Sequence, residues 1–398
     1  VADGTVFGSQ SSLREANRSR VVETVKRFGA ITQVELADAT GLSPGTISTI
    51  VKELQEARIV DTSPTSRSGR RAVQVTLAHQ LGIVAGAHFS RRMLRVALAD
   101  LSGEVLSERQ LPLAKDHRAD TGLDRAAALI FDLLDHSKVS RHELLGIGVA
   151  IGAPIDRATG TISAPNLMRG WEGVPIAEAF EKRTKVPVAV DNDANLGALA
   201  EARFGAGQGF DPIVYITASY GIGAGLSIGG QPFGGYSGVA GELGHISVDE
   251  NGPICHCGNR GCLERVAGVP AMLESLRLTH GNLTSRDLVS QALDGDVACR
   301  RVIADSAHYY GLALASVCNF IDPQRIIVGG DLADVGDIFL EPLRVVTSRF
   351  TLPGLSSTIE IVPAALTPRS ELHGALFRAL ESVAVPGHVE GGTIRATA

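Results

Sequence analysis

Gly241-Glu242-Leu243-Gly244-His245, followed by Cys255-His256-Cys257-Gly258-Asn259-Arg260-Gly261-Cys262-Leu263-Glu264, is the most informative run in this chain. Three thiols and an imidazole within a short, glycine-punctuated loop are the donor set of a tetrahedral zinc site. His245, Cys255, Cys257 and Cys262 would fill four positions, one ion per chain, and a filled shell makes the metal structural. His256 is a competing ligand on spacing alone. The chain has five Cys in all. An odd count with three in one cluster argues for a metal rather than a disulfide framework.

Upstream lie two further motifs. Gly221-Ile222-Gly223-Ala224-Gly225 follows the apolar run Ile213–Ala218, so a strand is expected to enter a glycine-rich turn. Backbone N–H groups in such a turn can approach a phosphate, but the spacing is neither a Walker sequence nor a dinucleotide fingerprint, and a plain tight turn fits equally. Asp191-Asn192-Asp193-Ala194-Asn195 follows the strand-like Val186–Val190. A carboxylate at a strand end can act on a ligand hydroxyl. Asn192 or Asp193 could instead cap the next helix, expected over Ala194–Phe204.

The surrounding pattern alternates strand and helix. Strands are expected at Gly82–Ala87, Leu94–Ala99, Leu145–Ile151 and Ile326–Val328, and helices at Ala119–Asp135, Pro270–Leu276, Ser285–Leu293 and Val297–Phe320. That alternation means a layered α/β body, and two strand–glycine motifs, at 221–225 and Gly329-Gly330, hint at two lobes.

Residues 13–60 differ: they read as three short helices. Thr32 caps the second, and Ser43 caps the third with Pro44 at its first position. Ile47, Ile50, Val51 and Leu54 form that helix's apolar stripe, leaving Thr46, Ser48, Thr49 and Lys52 outward. Two β-like runs, Ile59–Thr62 and Ala72–Leu77, follow, with Arg67, Arg70 and Arg71 toward the tip. Three helices and a hairpin are the layout of a winged helix-turn-helix. Small polar side chains can reach base edges, and arginines on the wing can reach phosphates. A helical protein-interaction module is the blander reading.

The whole-chain arithmetic agrees. At 398 residues, with 44% hydrophobic and 20% charged residues, the chain is globular and long enough for two or three domains. Net charge is −6. Residues 1–80 carry ten Lys/Arg and eight Asp/Glu, so a weakly basic segment precedes an acidic remainder. No stretch of about 18 uncharged apolar residues occurs, which excludes a membrane-spanning helix. The polar start, Val1–Ser12, lacks a signal-peptide core, so a cytoplasmic location is expected.

Taken together, these residues resemble the ROK family of repressors, uncharacterised reading frames and sugar kinases, from about Ser12 to Glu381. The resemblance implies an N-terminal winged helix-turn-helix plus a two-lobed α/β body of actin/hexokinase type with a structural zinc. Residues 1–78 would be the DNA-binding domain with its linker. Residues 79–195, completed by a helix at 370–383, would be the first lobe. Residues 196–369 would be the second, with the zinc loop, and 384–398 a disordered tail. The resemblance places sugar contacts on Asn166, Asn192, Asp193, Glu242, His245 and Glu264, with Asp193 at the position of the kinase base. It places zinc on His245, Cys255, Cys257 and Cys262.

One departure bears on activity. Family kinases open the first lobe with Asp-x-Gly-Gly-Thr, which holds ATP phosphates. Here His88-Phe89-Ser90-Arg91-Arg92 stands in that place, and the second phosphate loop reads Ser219-Tyr220-Gly221. Losing the clamp should abolish phosphoryl transfer and leave Asp193 as a sugar ligand. Arg91 and Arg92 are read as solvated or DNA-facing, with a bound phosphate as the other reading. The expectation is a sugar-responsive regulator, a repressor of carbohydrate genes. It would bind operator DNA as a homodimer or dimer of dimers, with no membrane partner. The alternative is an ATP-dependent sugar kinase.

Overall fold

The computed structural model describes residues 10–67, 70–114, 117–164, 167–354 and 359–385. Asn166 lies outside the described residues, and the side chains of Arg67 and Arg70 are likewise not described.

The N-terminal part contains α1 (Gln10–Phe28), β1 (Ala30–Thr32), α2 (Gln33–Thr40), α3 (Pro44–Glu56), β2 (Val60–Arg67) and β3 (Arg70–Leu77). Thr32 and Glu35 form a reciprocal capping box on α2, and the Ser43 hydroxyl accepts from the Thr46 N–H to cap α3. Both caps fall where the sequence puts them, with Pro44 spared an N–H it could not donate. Ile47, Ile50, Val51 and Leu54 are buried along α3, at roughly 1.5–3 kcal/mol of burial free energy each. The strands order β1-β3-β2, all antiparallel. The third wing strand, β1, is not expected from sequence. Three residues are too few to show a period.

The body holds two sheets of one design. In the first lobe β4 (Ile83–Phe89), β5 (Met93–Asp100) and β6 (Val105–Pro112) form an antiparallel meander. Helix α4 (Ala119–His136) leads to β7 (Leu144–Ile151), and α5 (Ile176–Thr184) leads to β8 (Val188–Asn192), which add in parallel. Helix α6 (Asp193–Phe204) leads into the second lobe. There β9 (Ile213–Ala218), β10 (Ile222–Ile228) and β11 (Gln231–Pro232) repeat the meander. Helices α7 (Leu263–Ala267), α8 (Val269–His280), α9 (Ser285–Leu293) and α10 (Val297–Ile321) follow. Strand β12 (Arg325–Gly329), helix α11 (Asp337–Phe350), strand β13 (Glu360–Pro363) and α12 (Ser370–Ser382) complete the chain. The sheet orders are β6-β5-β4-β7-β8 and β11-β10-β9-β12-β13.

Each lobe's last helix packs on the other lobe. Helix α6, after the first sheet, lies on β9 and β10; α12, after the second sheet, lies on β4 and β7; and the two helices pack against each other. The division expected between residues 195 and 196 falls inside α6. The helices approach to backbone contact. A Cβ on Gly374 of α12 would sit 2.0 Å from the Leu196 carbonyl oxygen of α6.

Two expectations need correction. Ile222–Ile228 is a strand paired with β9, so Gly223 and Gly225 do not form a turn. A Cβ on Gly225 would lie 2.1 Å from the Ala194 carbonyl oxygen, so this glycine lets α6 lie on β10 and does not cradle a phosphate. The expected disordered tail begins too early: Val385 is buried in the same apolar cluster as α12, while 386–398 lie outside the described residues.

That cluster also contains the core of the N-terminal domain. Val21, Val22, Val25, Leu36, Ile47 and Leu54 join Leu196, Leu199, Leu376, Leu380 and Val383 in one continuous apolar mass. At the seam the buried Lys26 donates to the Val383 carbonyl at 2.6 Å.

Candidate functional site

A cleft of about 500 Å³ opens between the lobes, and its walls include Asn192, Asp193, Glu242, His245 and Glu264. Asn192 ends β8 and caps α6, its side-chain oxygen accepting from the Asn195 N–H at 3.1 Å. The cap therefore belongs to Asn192, and Asp193, the first residue of α6, faces the cleft. Glu242 precedes a short 3-10 turn that His245 ends, and Glu264 stands on α7 directly after the cysteine loop. Five of the six expected sugar contacts thus meet in one cleft.

Glu242 is pushed up to about 7 by burial and by the neighbouring Asp193 and Glu264 carboxylates. Three acids facing one cavity present acceptors for several hydroxyls, and a site built on such pairs separates epimers strongly.

The thiols of Cys255, Cys257 and Cys262 and a ring nitrogen of His245 all lie within 4.8 Å of one another. His245 Nδ1 is 3.6 Å from Cys255 Sγ, and Cys257 and Cys262 sulfurs are 3.7 Å apart. Burial raises the Cys255 thiol and, with the neighbouring thiols, pushes Cys262 up to about 12. Three sulfurs and an imidazole nitrogen converging at this spacing are the donor set of a tetrahedral metal site. The donor set can hold a metal. His245, not His256, joins the thiols; His256 is exposed and borders a neighbouring hollow. The other His245 nitrogen, Nε2, lies 3.8 Å from Glu242 in the cleft. One ring therefore touches both the cysteine cluster and the cavity.

The turn after β4 is where the sequence reading is most revised. Arg91 is only partly exposed, its side chain about 32% accessible, and it turns inward rather than outward, whereas Arg92 is exposed as expected. Its guanidinium crosses from the first lobe to donate to Glu264 Oε1 at 2.6 Å, while Glu264 Oε2 accepts from the Ile222 N–H at 3.1 Å. Arg92 stacks over Tyr220 with its guanidinium carbon 5.5 Å from the ring centroid. Side chains from the turn after β4 and from the turn between β9 and β10 thus touch each other across the cleft. The partners lie far apart in sequence, so no local pattern could have paired them.

At the other end of α6 stands Arg203, which the sequence does not single out. Its guanidinium donates to the Arg27 carbonyl at the end of α1, lies 3.6 Å from Glu381, and stacks on Phe377 at 4.9 Å and Phe28 at 5.8 Å. The fully buried Glu201 accepts from the N–H groups of Ala206, Ala365 and Leu366 and from the Ser370 hydroxyl, tying α6 to the loop before α12.

In the N-terminal domain Ser48, Thr49 and Lys52 are exposed on α3, and Thr46 is half-buried against the Ser43 hydroxyl at 2.8 Å. Arg67 pairs in register with Arg70 near the wing tip, and Arg71, opposite Ser66, is exposed. Among the described residues no helix is long and apolar enough to cross a membrane.

Residues 81–381 match the ROK family, and residues 15–71 match the MarR family. The chain is 28% identical to the xylose repressor of Bacillus subtilis over 90% of its length and 94% of that protein's. It is 36% identical to a glucokinase of Halalkalibacterium halodurans over 69% of its own length and 87% of the other's. A crystal structure described as a ROK family transcriptional regulator, homologous to the Escherichia coli MLC protein, superposes with a TM-score of 0.74 at 26% identity, covering 93% of this chain and 97% of that one. The family match spans most of the chain, and the folds agree over nearly all of it: this chain belongs to the ROK family.

Proposed function

We propose that this protein is a sugar-responsive, DNA-binding transcriptional repressor of carbohydrate genes. One observation carries the reading: a helix-turn-helix with an exposed polar face on α3 shares a single apolar core with a sugar-kinase-like body. The B. subtilis relative is named a xylose repressor, and a match over both its parts supports the same division of labour here. In this reading α3 enters the major groove with Thr46, Ser48, Thr49 and Lys52, and Arg67, Arg70 and Arg71 meet the DNA backbone. Two copies are required for a two-fold symmetric operator, giving a homodimer or a dimer of dimers acting in the cytoplasm.

The sugar is taken up by Asn192, Asp193, Glu242, His245 and Glu264, with Asn166 as a further contact. A zinc ion on His245, Cys255, Cys257 and Cys262 supplies a fixed cation that holds the loop carrying both His245 and Glu264 in place. His245 then offers its free nitrogen to the sugar. Kinase activity is absent in this reading. Arg91 and Arg92 fill the place of the phosphate clamp, and phosphoryl transfer rests almost wholly on that clamp. The kinase alternative keeps one feature in its favour: Asp193 still faces the cleft. It demands sugar-dependent ATP consumption that disappears in Asp193→Asn.

Helix α6 connects the two functions. It runs roughly 15 Å by helix rise, from Asp193 in the cleft to Arg203 against the DNA-binding domain. Closure of the lobes on a sugar moves this rod and with it α1, changing the spacing of the paired recognition helices. Arg203→Ala is expected to leave operator binding near wild type but to shrink the effector-induced change in operator affinity, typically 5–150-fold for coupled sites, to within about twofold. Equal coupling in the variant would remove Arg203 from the path.

The primary test is selection of genomic DNA fragments on the purified, metal-loaded protein. The expected result is enrichment of fragments sharing a two-fold symmetric site beside carbohydrate genes. No enrichment at low salt from folded protein would sink the repressor reading.

A further inference from the structure

We propose that His88 is a ligand-binding residue: with Asp193 it forms a donor–acceptor pair that reads one free hydroxyl of the effector and excludes a phosphate there. The proposal rests on the cleft being an effector site, as above.

Strand alternation aims the side chain. Along β4, Ala85, Ala87 and Phe89 pack in the cluster around α4, whereas Val84 and Gly86 face α12. His88 continues the second row where the strand reaches the cleft, and its side chain lines that cavity. The residue is only 4% exposed, and neither ring nitrogen has a hydrogen-bond partner within the protein. Nε2 lies 3.5 Å from Asp193 Oδ2, near enough to feel its charge but not aligned as a hydrogen bond.

A buried donor or acceptor left unpaired costs about 1–3 kcal/mol. Such a group set beside a carboxylate in a ligand cavity is a site awaiting a partner. The pair has complementary needs. Asp193 accepts, and a neutral imidazole has one N–H to donate. A hydroxyl can satisfy both at once, giving its proton to the carboxylate and taking one from the ring. A phosphate suits this pair poorly, because its oxygens would meet the Asp193 carboxylate with Glu242 on the same wall, although Arg92, Arg95 and Arg286 also line the cavity. Arg91, which reaches into this region, already pairs with Glu264.

The test uses the full chain with D-glucose, D-xylose and N-acetyl-D-glucosamine as probes. Each is titrated calorimetrically into wild type, His88→Leu and His88→Asn, while affinity for the selected operator is measured without sugar. For the sugar that binds, His88→Leu is expected to weaken affinity about 10–100-fold. His88→Asn, which keeps a donor, should recover part of it, and operator affinity should not change. A deoxy series of that sugar should contain one analogue that loses affinity on wild type but little more on His88→Leu. Its phosphate ester at that position should bind more weakly than the free sugar. Unchanged affinity in His88→Leu, or a tighter phosphate ester, would overturn the proposal alone. If wild type binds its operator but none of the three sugars, the effector reading falls and this proposal with it.

Discussion

On the zinc and effector readings proposed above, replacing Cys262 with serine is expected to strip the protein of tightly held metal and lower its affinity for sugar. Cys262 is fully buried and faces Cys257. It is also the residue from which α7 starts, two positions before Glu264. The Leu263 N–H donates to the Ile246 carbonyl at 2.9 Å, so the strand of chain bearing His245 is laced to the same point. Losing one of four ligands costs more than losing a supporting residue, which alone costs 10–100-fold in metal affinity. We expect a fall of about 100-fold or more in metal affinity and about tenfold in sugar affinity. Metal content after dialysis against a mild chelator and calorimetric sugar titration check both. Full metal content with unaltered sugar binding would show that the cluster does not organise the cleft.

Gly374→Val will destabilise the fold by at least ~3 kcal/mol, the upper end of overpacking costs. The new Cβ would start 2.0 Å from the Leu196 carbonyl oxygen and 2.4 Å from its carbon. Both atoms belong to the α6 backbone, which cannot step aside as a side chain can. Helix α6 is held on its other side as well, since Gly197 accepts the Tyr215 ring where a Cβ would fall 2.3 Å from it. The melting temperature should drop by roughly 6 °C or more. Gly354→Ala, with no described atom within 4 Å of the new Cβ, is the control and should be near neutral. A melting temperature for Gly374→Val equal to the control would mean the helices separate more easily than their packing implies.

The sequence displayed its elements unevenly. Helix α9 and strand β9 fall on their expected bounds, and the caps of α2 and α3 sit at Thr32 and Ser43, because local chemistry decides them. Strand β6 passed unnoticed. It is a partly exposed edge strand with several polar residues, so apolar alternation is faint. Helix α11 was hidden by Pro342, which reads as a breaker but is carried inside the helix. Gly223 and Gly225 suggested a turn because glycine marks both turns and close approaches, and only the packed α6 distinguishes them. The metal cluster was legible because its ligands lie within 18 positions of sequence, from His245 to Cys262. The Arg91–Glu264 pair spans 173 positions and was not.

The continuous core between the small N-terminal domain and α12 has a consequence for how such regulators can diversify. A head grafted from another protein would arrive without the matching apolar surface for Leu376, Leu380 and Val383, and without a main-chain carbonyl placed for Arg203. Recombination at the linker therefore breaks a shared interior, not a hinge between independent beads. Ser48, Thr49 and Lys52 lie outside that interior, on the exposed face of α3. On the repressor reading proposed above, new operators are open to this scaffold through point changes on one helix face, while the seam that joins head to body stays fixed.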